Sequence, residues 1–346
     1  MNPLIATAPL SPLEFSLPVI WALLIGTAVI LYVVLDGFDL GVGILFPLYP
    51  EERQRDLMMN SVAPYWDGNE TWLVLGGGGL WVAFPLAYAI IMPALYLPII
   101  ALLLALIFRG VAFEFRWAAK PHHRIWDLAF AGGSIVAAFS QGIVLGGLLQ
   151  GVRVVRGEFA GGSLDWLTPF SLFCGLALVV GYATIGAAWL MLKTEGPVAE
   201  RARVLMRSLF LLLVAAIVVV SIWTPLAIPR IAERWFAWPN MLYLSPVPIL
   251  TAAVAFWGLR AIATKRHNQP FFASVALFLL AFVGLVISNV PYLVPPVIDV
   301  WQAAAAPASQ VFMLIGTVLL LPIILVYVGF VYWVFRGKLA EGEGYH

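Results

Sequence analysis

The chain has 346 residues, 62% of them hydrophobic and 11% charged, with a formal net charge of +1. A soluble chain of this size carries about twice that charged fraction, so composition indicates an all-α polytopic membrane protein. The near-zero net charge gives no basis for a nucleic-acid partner. A single cysteine, Cys174 in an apolar run, excludes an internal disulfide or a cysteine metal cluster.

Taken in order, residues 1–16 hold no Lys or Arg, so no basic leader region precedes the first apolar segment. That segment is read as a permanent span. Nine segments are long enough to cross, near 17–46, 66–89, 91–116, 125–150, 168–192, 204–228, 247–264, 271–294 and 309–335. The seventh is the shortest. The second and third nearly touch, which predicts a tight turn over Tyr88 to Pro93. No connection is long enough to fold on its own, so residues 1–346 read as a single integral membrane domain.

Nine spans put the termini on opposite sides. With the N-terminus periplasmic, fourteen Lys and Arg residues fall on the inner side, from Arg53 to Lys338. Four fall outside, Arg153, Arg156, Arg230 and Arg234. This bias places the C-terminus in the cytoplasm. Trp235, Trp238 and Tyr243, in an outer connection, suit an interfacial belt.

The ionisable residues near the spans are few and grouped. Asp36 and Asp39 are three apart, so they share a helix face, roughly 30 Å into the first span at about 1.5 Å per residue. Gly37 and Gly41 beside them let another helix approach closely. Such packing removes water from the carboxylates, which suits groups that exchange protons near neutral pH. The alternative is that they only hydrogen-bond neighbouring helices. Asp67 and Glu70 stand where the second span begins on the inner side. Asp67 reads as a helix cap or as a proton-handling group. Arg109 is the one basic residue at membrane depth and needs a carboxylate or a wet cavity. Glu114 is its local candidate, with Asp36, Asp39, Asp67 and Glu70 as the others. The cluster implies a proton inlet, an ion-pair network that fixes helix packing, or both.

The glycine run Gly76, Gly77, Gly78 and Gly79 lies in a helical segment and suits close helix approach. The four histidines, His122, His123, His267 and His346, all fall outside the spans. A chain that ligates haem within the membrane supplies His there, or Met with His. No haem or other metal site is therefore expected on this chain. No residue is marked as catalytic, and His122 and His123 read as a solvated pair.

Three stretches together resemble subunit II of cytochrome bd-type quinol oxidases, including the cyanide-insensitive variants. They are Leu35-Asp36-Gly37-Phe38-Asp39-Leu40-Gly41-Val42-Gly43, the run from Asn60 through Trp66-Asp67-Gly68-Asn69-Glu70 to Leu73, and Phe108-Arg109-Gly110-Val111-Ala112-Phe113-Glu114-Phe115-Arg116. The resemblance implies two four-helix bundles plus one peripheral helix, in a bacterial inner membrane. It also implies a heterodimer with subunit I, which carries two b-type haems and one d-type haem. The complex then oxidises quinol, reduces dioxygen to water, and generates proton-motive force without pumping. Asp67 would belong to a proton path, with Asp39 buried nearby. A structural quinone in this chain and a small single-span accessory subunit are left open. The rival from another class is a secondary transporter with intramembrane carboxylates, and the sequence offers no pair of matching broken helices for it. A third reading is a purely structural subunit.

Overall fold

The computed structural model describes residues 11–119 and 123–339. Lys120, His122 and His346 lie outside those residues. Among the described residues eight helical stretches are long and apolar enough to cross a membrane, and a bent pair makes a ninth if it is taken as one.

Helix α1 (Pro12–Leu45) opens with a capping box, in which Ser11 and Glu14 each bond the other's backbone amide, and with Pro12 in its first turn. After a 3-10 turn comes α2 (Glu52–Val62), a short helix that buries Leu57, Met58 and Met59 beneath the basic side of the molecule. Helix α3 (Trp66–Ala83) then meets α4 (Pro85–Ala94) at a bend of 120°. The expected turn at Tyr88 to Pro93 is therefore displaced. The chain breaks at Phe84, because the residue before a proline avoids the helical region, and Phe84 sits at φ −135° and ψ 61°. Pro93 lies inside α4, and the return starts only at Leu95.

Helices α5 (Tyr96–Ala118) and α6 (Arg124–Gln150) follow, then a two-strand hairpin, β1 (Val154–Val155) with β2 (Glu158–Phe159). Next come α7 (Pro169–Lys193), α8 (Gly196–Ala227) and the short α9 (Pro229–Phe236) and α10 (Asn240–Leu244). Helix α10 leads into α11 (Pro246–Ala263), so the segment that looked short runs 24 residues, from Asn240 to Ala263. Helix α12 (Gln269–Asn289), the hairpin of β3 (Tyr292–Val294) with β4 (Ile298–Asp299), and α13 (Pro307–Val334) complete the chain. One bundle comprises α1, the α3–α4 pair, α5 and α6; the second comprises α7, α8, α11 and α12. Helix α13 is peripheral and touches α1 and α3.

The two bundles meet where α1 crosses α7 without side chains between them. A Cβ on Gly41 would lie 1.9 Å from the carbonyl oxygen of Tyr182, and one on Gly186 would lie 2.3 Å from the backbone of Gly41. Gly37 faces the Tyr182 ring. This contact fixes the rotation of α1 and hence the direction of Asp36 and Asp39. Two of the four cations expected on the outer side also have structural work. Arg230 and Arg234 donate to carbonyls at the ends of α6 and α12, Leu149, Ser288 and Ile287 among them, where helices leave acceptors unpaired.

Candidate functional site

The ionisable groups of α1, α3 and α5, Asp36, Asp39, Glu70 and Arg109, converge in the half of these helices nearer the basic end of the molecule. Arg109 is fully buried, and its fork is split between two helices. Nη1 donates to Asp36 Oδ1 at 2.5 Å and Nη2 to Glu70 Oε2 at 2.7 Å. Asp36 is sealed, whereas the Glu70 side chain keeps 27% of its surface open. The guanidinium also lies 5.9 Å from the ring centroid of Trp66, which stacks on Phe113. A buried arginine with one carboxylate on each side meets the demand that an intramembrane charge be paired.

Glu114 is not part of this arrangement. It follows Arg109 by five residues, about 140° around the helix, and it is exposed. Asp67 is exposed as well, in the first turn of α3. The helix cap is Tyr65, with no side-chain capping bond, so the capping reading of Asp67 has no bond behind it. Asp39 is buried and makes no ion pair among the described residues. Its Oδ2 accepts from Asn69 Nδ2 at 2.7 Å, and its Oδ1 has no hydrogen-bond partner among the described residues. Asn69 also receives a bond on Oδ1 from the Tyr332 hydroxyl at 2.9 Å.

The glycine run divides. Gly76 and Gly79 pack against Val29 and Ile25 of α1, while nothing lies within 4 Å of a Cβ placed on Gly77 or Gly78. Asp67, Thr71, Val74, Gly78 and Trp81 form one exposed stripe along α3, at alternating spacings of four and three.

Sequence reasoning missed several residues around the cluster. Asn69 stood in the motif without a partner, and Tyr332 was not singled out. Arg116 was counted as a marker of orientation. It is buried instead, and it bonds Asp56 of α2 at 2.5 Å and Asp127 of α6 at 2.6 Å. Lys193, counted the same way, donates from the end of α7 to the carbonyl of Phe335 beyond α13. Arg116 closes the predicted third span and Lys193 lies one residue past the predicted fifth, so neither position signalled burial.

The family model for cytochrome bd terminal oxidase subunit II matches residues 17–335. The chain is 30% identical to cytochrome bd-I ubiquinol oxidase subunit 2 of Escherichia coli K12, covering 94% of this chain and 95% of the relative. It is 27% identical to cytochrome bd ubiquinol oxidase subunit 2 of Bacillus subtilis, over 95% of this chain and 98% of that one. A chain of the bd oxidase structure from Geobacillus thermodenitrificans superposes with a TM-score of 0.75 at 18% identity, covering 92% of this chain and 98% of that one, a likeness of fold. With the Asp36–Arg109–Glu70 cluster carried on that fold, the chain belongs to the family of cytochrome bd terminal oxidase subunit II.

Proposed function

We propose that this chain works as the second subunit of a membrane complex that oxidises quinol and reduces dioxygen to water, and that it carries protons inward to the site of reduction. The observation that carries the proton role is the gradation of burial along its carboxylates. Asp67 is open, Glu70 is partly covered, and Asp36 and Asp39 are sealed. Arg109 does not itself relay a proton, because its guanidinium stays charged. It holds Glu70 and Asp36 close together in a medium where two carboxylates alone would repel. Asp39, outside the ion pairs, is the carboxyl that can gain or lose a proton without breaking one.

The groups of this chain do not fit haem ligation. The histidines lie outside the spans, where a haem held at membrane depth would need one. The two b-type haems and the d-type haem are assigned to subunit I, where they supply electron transfer and dioxygen reduction. The exposed stripe of α3, with its open Gly78, is the face offered to that partner, because association in lipid depends on close packing rather than on apolarity. Docking there would stabilise subunit I and set Asp67 at the seam. With the basic side cytoplasmic and the N-terminus periplasmic, protons for water formation come from the cytoplasm. Quinol releases its protons on the other side, so a proton-motive force forms without pumping.

The test is Asp67→Asn in the whole complex, with oxygen uptake and the haem spectrum read on one preparation. The carboxylate makes no cap bond, so a capping role predicts a nearly silent change. A relay role predicts a loss on the order of tenfold or more with haem content intact, less than the roughly hundredfold or more of a positioned acid–base group because water can bypass one relay group. Normal uptake would reject the relay. Loss of haem together with activity would place Asp67 in assembly with subunit I rather than on the relay.

A further inference from the structure

Helix α13 is attached to the rest of the protein in a way that its lipid exposure does not suggest. Gln310 is its only buried residue. At the far end Trp21 donates to the Gln310 carbonyl at 3.2 Å. At the basic end Tyr65 donates to the Phe335 carbonyl at 2.6 Å, Lys193 donates to the same oxygen, and Tyr332 donates to Asn69. The last of these bonds reaches Asp39 through a single amide.

The amide can sit in one sense only. Its nitrogen faces two acceptors, Asp39 Oδ2 at 2.7 Å and the Leu35 carbonyl at 3.3 Å, and its oxygen faces the Tyr332 hydroxyl at 2.9 Å. Turned over, it would set its oxygen against two acceptors and waste the hydroxyl's donor. The link does not conduct, since an amide nitrogen has no lone pair free to accept a proton. What it does is occupy Oδ2 of a carboxyl that is 1% exposed, leaving Oδ1 without a partner among the described residues.

We infer that Tyr332 and Asn69 are positioning residues for Asp39, locking one carboxyl oxygen so that proton exchange takes place on the other. This rests on the proton role proposed above. A consequence is that the peripheral helix senses the site. A shift of α13 would release the amide before it disturbed the Arg109 ion pairs.

The experiment uses the intact complex with Tyr332→Phe, Asn69→Ala and Asp39→Asn. Tyr332→Phe keeps the ring, whose centroid lies 4.6 Å from that of Tyr65, so folding is preserved. Redox-induced infrared difference spectra report the carboxyl stretch, and Asp39→Asn identifies the band by abolishing it. Turnover is followed against pH, with Tyr32 and Asp36 from α1, Glu70 from α3, Arg109 from α5, Tyr182 from α7 and Tyr332 from α13 as the other ionisable groups around Asp39 and Asp36. The expected result is a displaced Asp39 band and a displaced pH profile in Tyr332→Phe and in Asn69→Ala. Turnover should fall about fivefold in the former, the worth of one hydrogen bond. An Asp39 band and a pH profile unchanged by Tyr332→Phe would overturn the inference. If Asp39→Asn turns over normally while Tyr332→Phe still moves the band, the positioning holds and the proton role of Asp39 fails.

Discussion

The split fork of Arg109 makes a quantitative demand. Asp36→Asn removes the sealed counter-ion and leaves a fully buried guanidinium with Glu70 alone, whose side chain is 27% exposed. Breaking a buried pair by deleting one partner costs about 3–5 kcal/mol, because the remaining charge keeps its desolvation penalty. At about 1.4 kcal/mol per decade, that lowers the folded-to-unfolded ratio by roughly two to three and a half orders of magnitude. Glu70→Gln removes the counter-ion that water partly screens, so its cost falls well below that of Asp36→Asn. Asp36→Asn with Arg109→Gln removes the charge and its partner together and should recover part of the loss, a coupling a double-mutant cycle isolates. Equilibrium unfolding of the purified complex in mixed micelles, followed by tryptophan emission, ranks the variants. If Asp36→Asn proves as stable as the parent, or less costly than Glu70→Gln, the cluster is wetter or differently paired than described. The reasoning would then be wrong.

Three further expectations can be measured directly. Gly41→Ala pushes a methyl into the Tyr182 carbonyl and should lower thermal stability of the complex sharply, whereas Gly78→Ala meets nothing within this chain. Any loss of assembly from Gly78→Ala, measured by co-purification with subunit I, would locate the partner on that face. A reporter fused after Lys338 should read as cytoplasmic, and a periplasmic signal would reverse the proposed orientation. Expressed without its partner, the chain should carry no stoichiometric haem, read from the Soret band; a wash-resistant band would refute that assignment.

Much of the architecture was readable because lipid imposes simple rules. Runs of apolar residues marked the crossings, and the rarity of charge in them made Asp36, Asp39, Glu70 and Arg109 conspicuous before any contact was known. The pairing within that set was not readable. It depends on how far α1, α3 and α5 are turned about their own axes, and that rotation is fixed by the glycine crossing of α1 on α7. Gly186, 145 positions beyond Gly41, supplies half of that crossing. Proximity in sequence favoured Glu114 as the partner of Arg109, and helical geometry turned it away. The same limit explains Phe84. A proline was expected to mark the turn, and one does, but by excluding the residue before it from the helix rather than by occupying the bend. Tyr332 was out of reach for a different reason, since a tyrosine near the end of a span is what an interfacial belt predicts. The hydroxyl takes its meaning from an amide 263 residues earlier. An arginine with two carboxylates would satisfy the electrostatics of this bundle by itself. The second buried carboxyl, outside every ion pair and held by an amide, adds nothing to that balance and is costly to keep. A purely structural subunit has no reason to retain it, and a subunit that handles protons does.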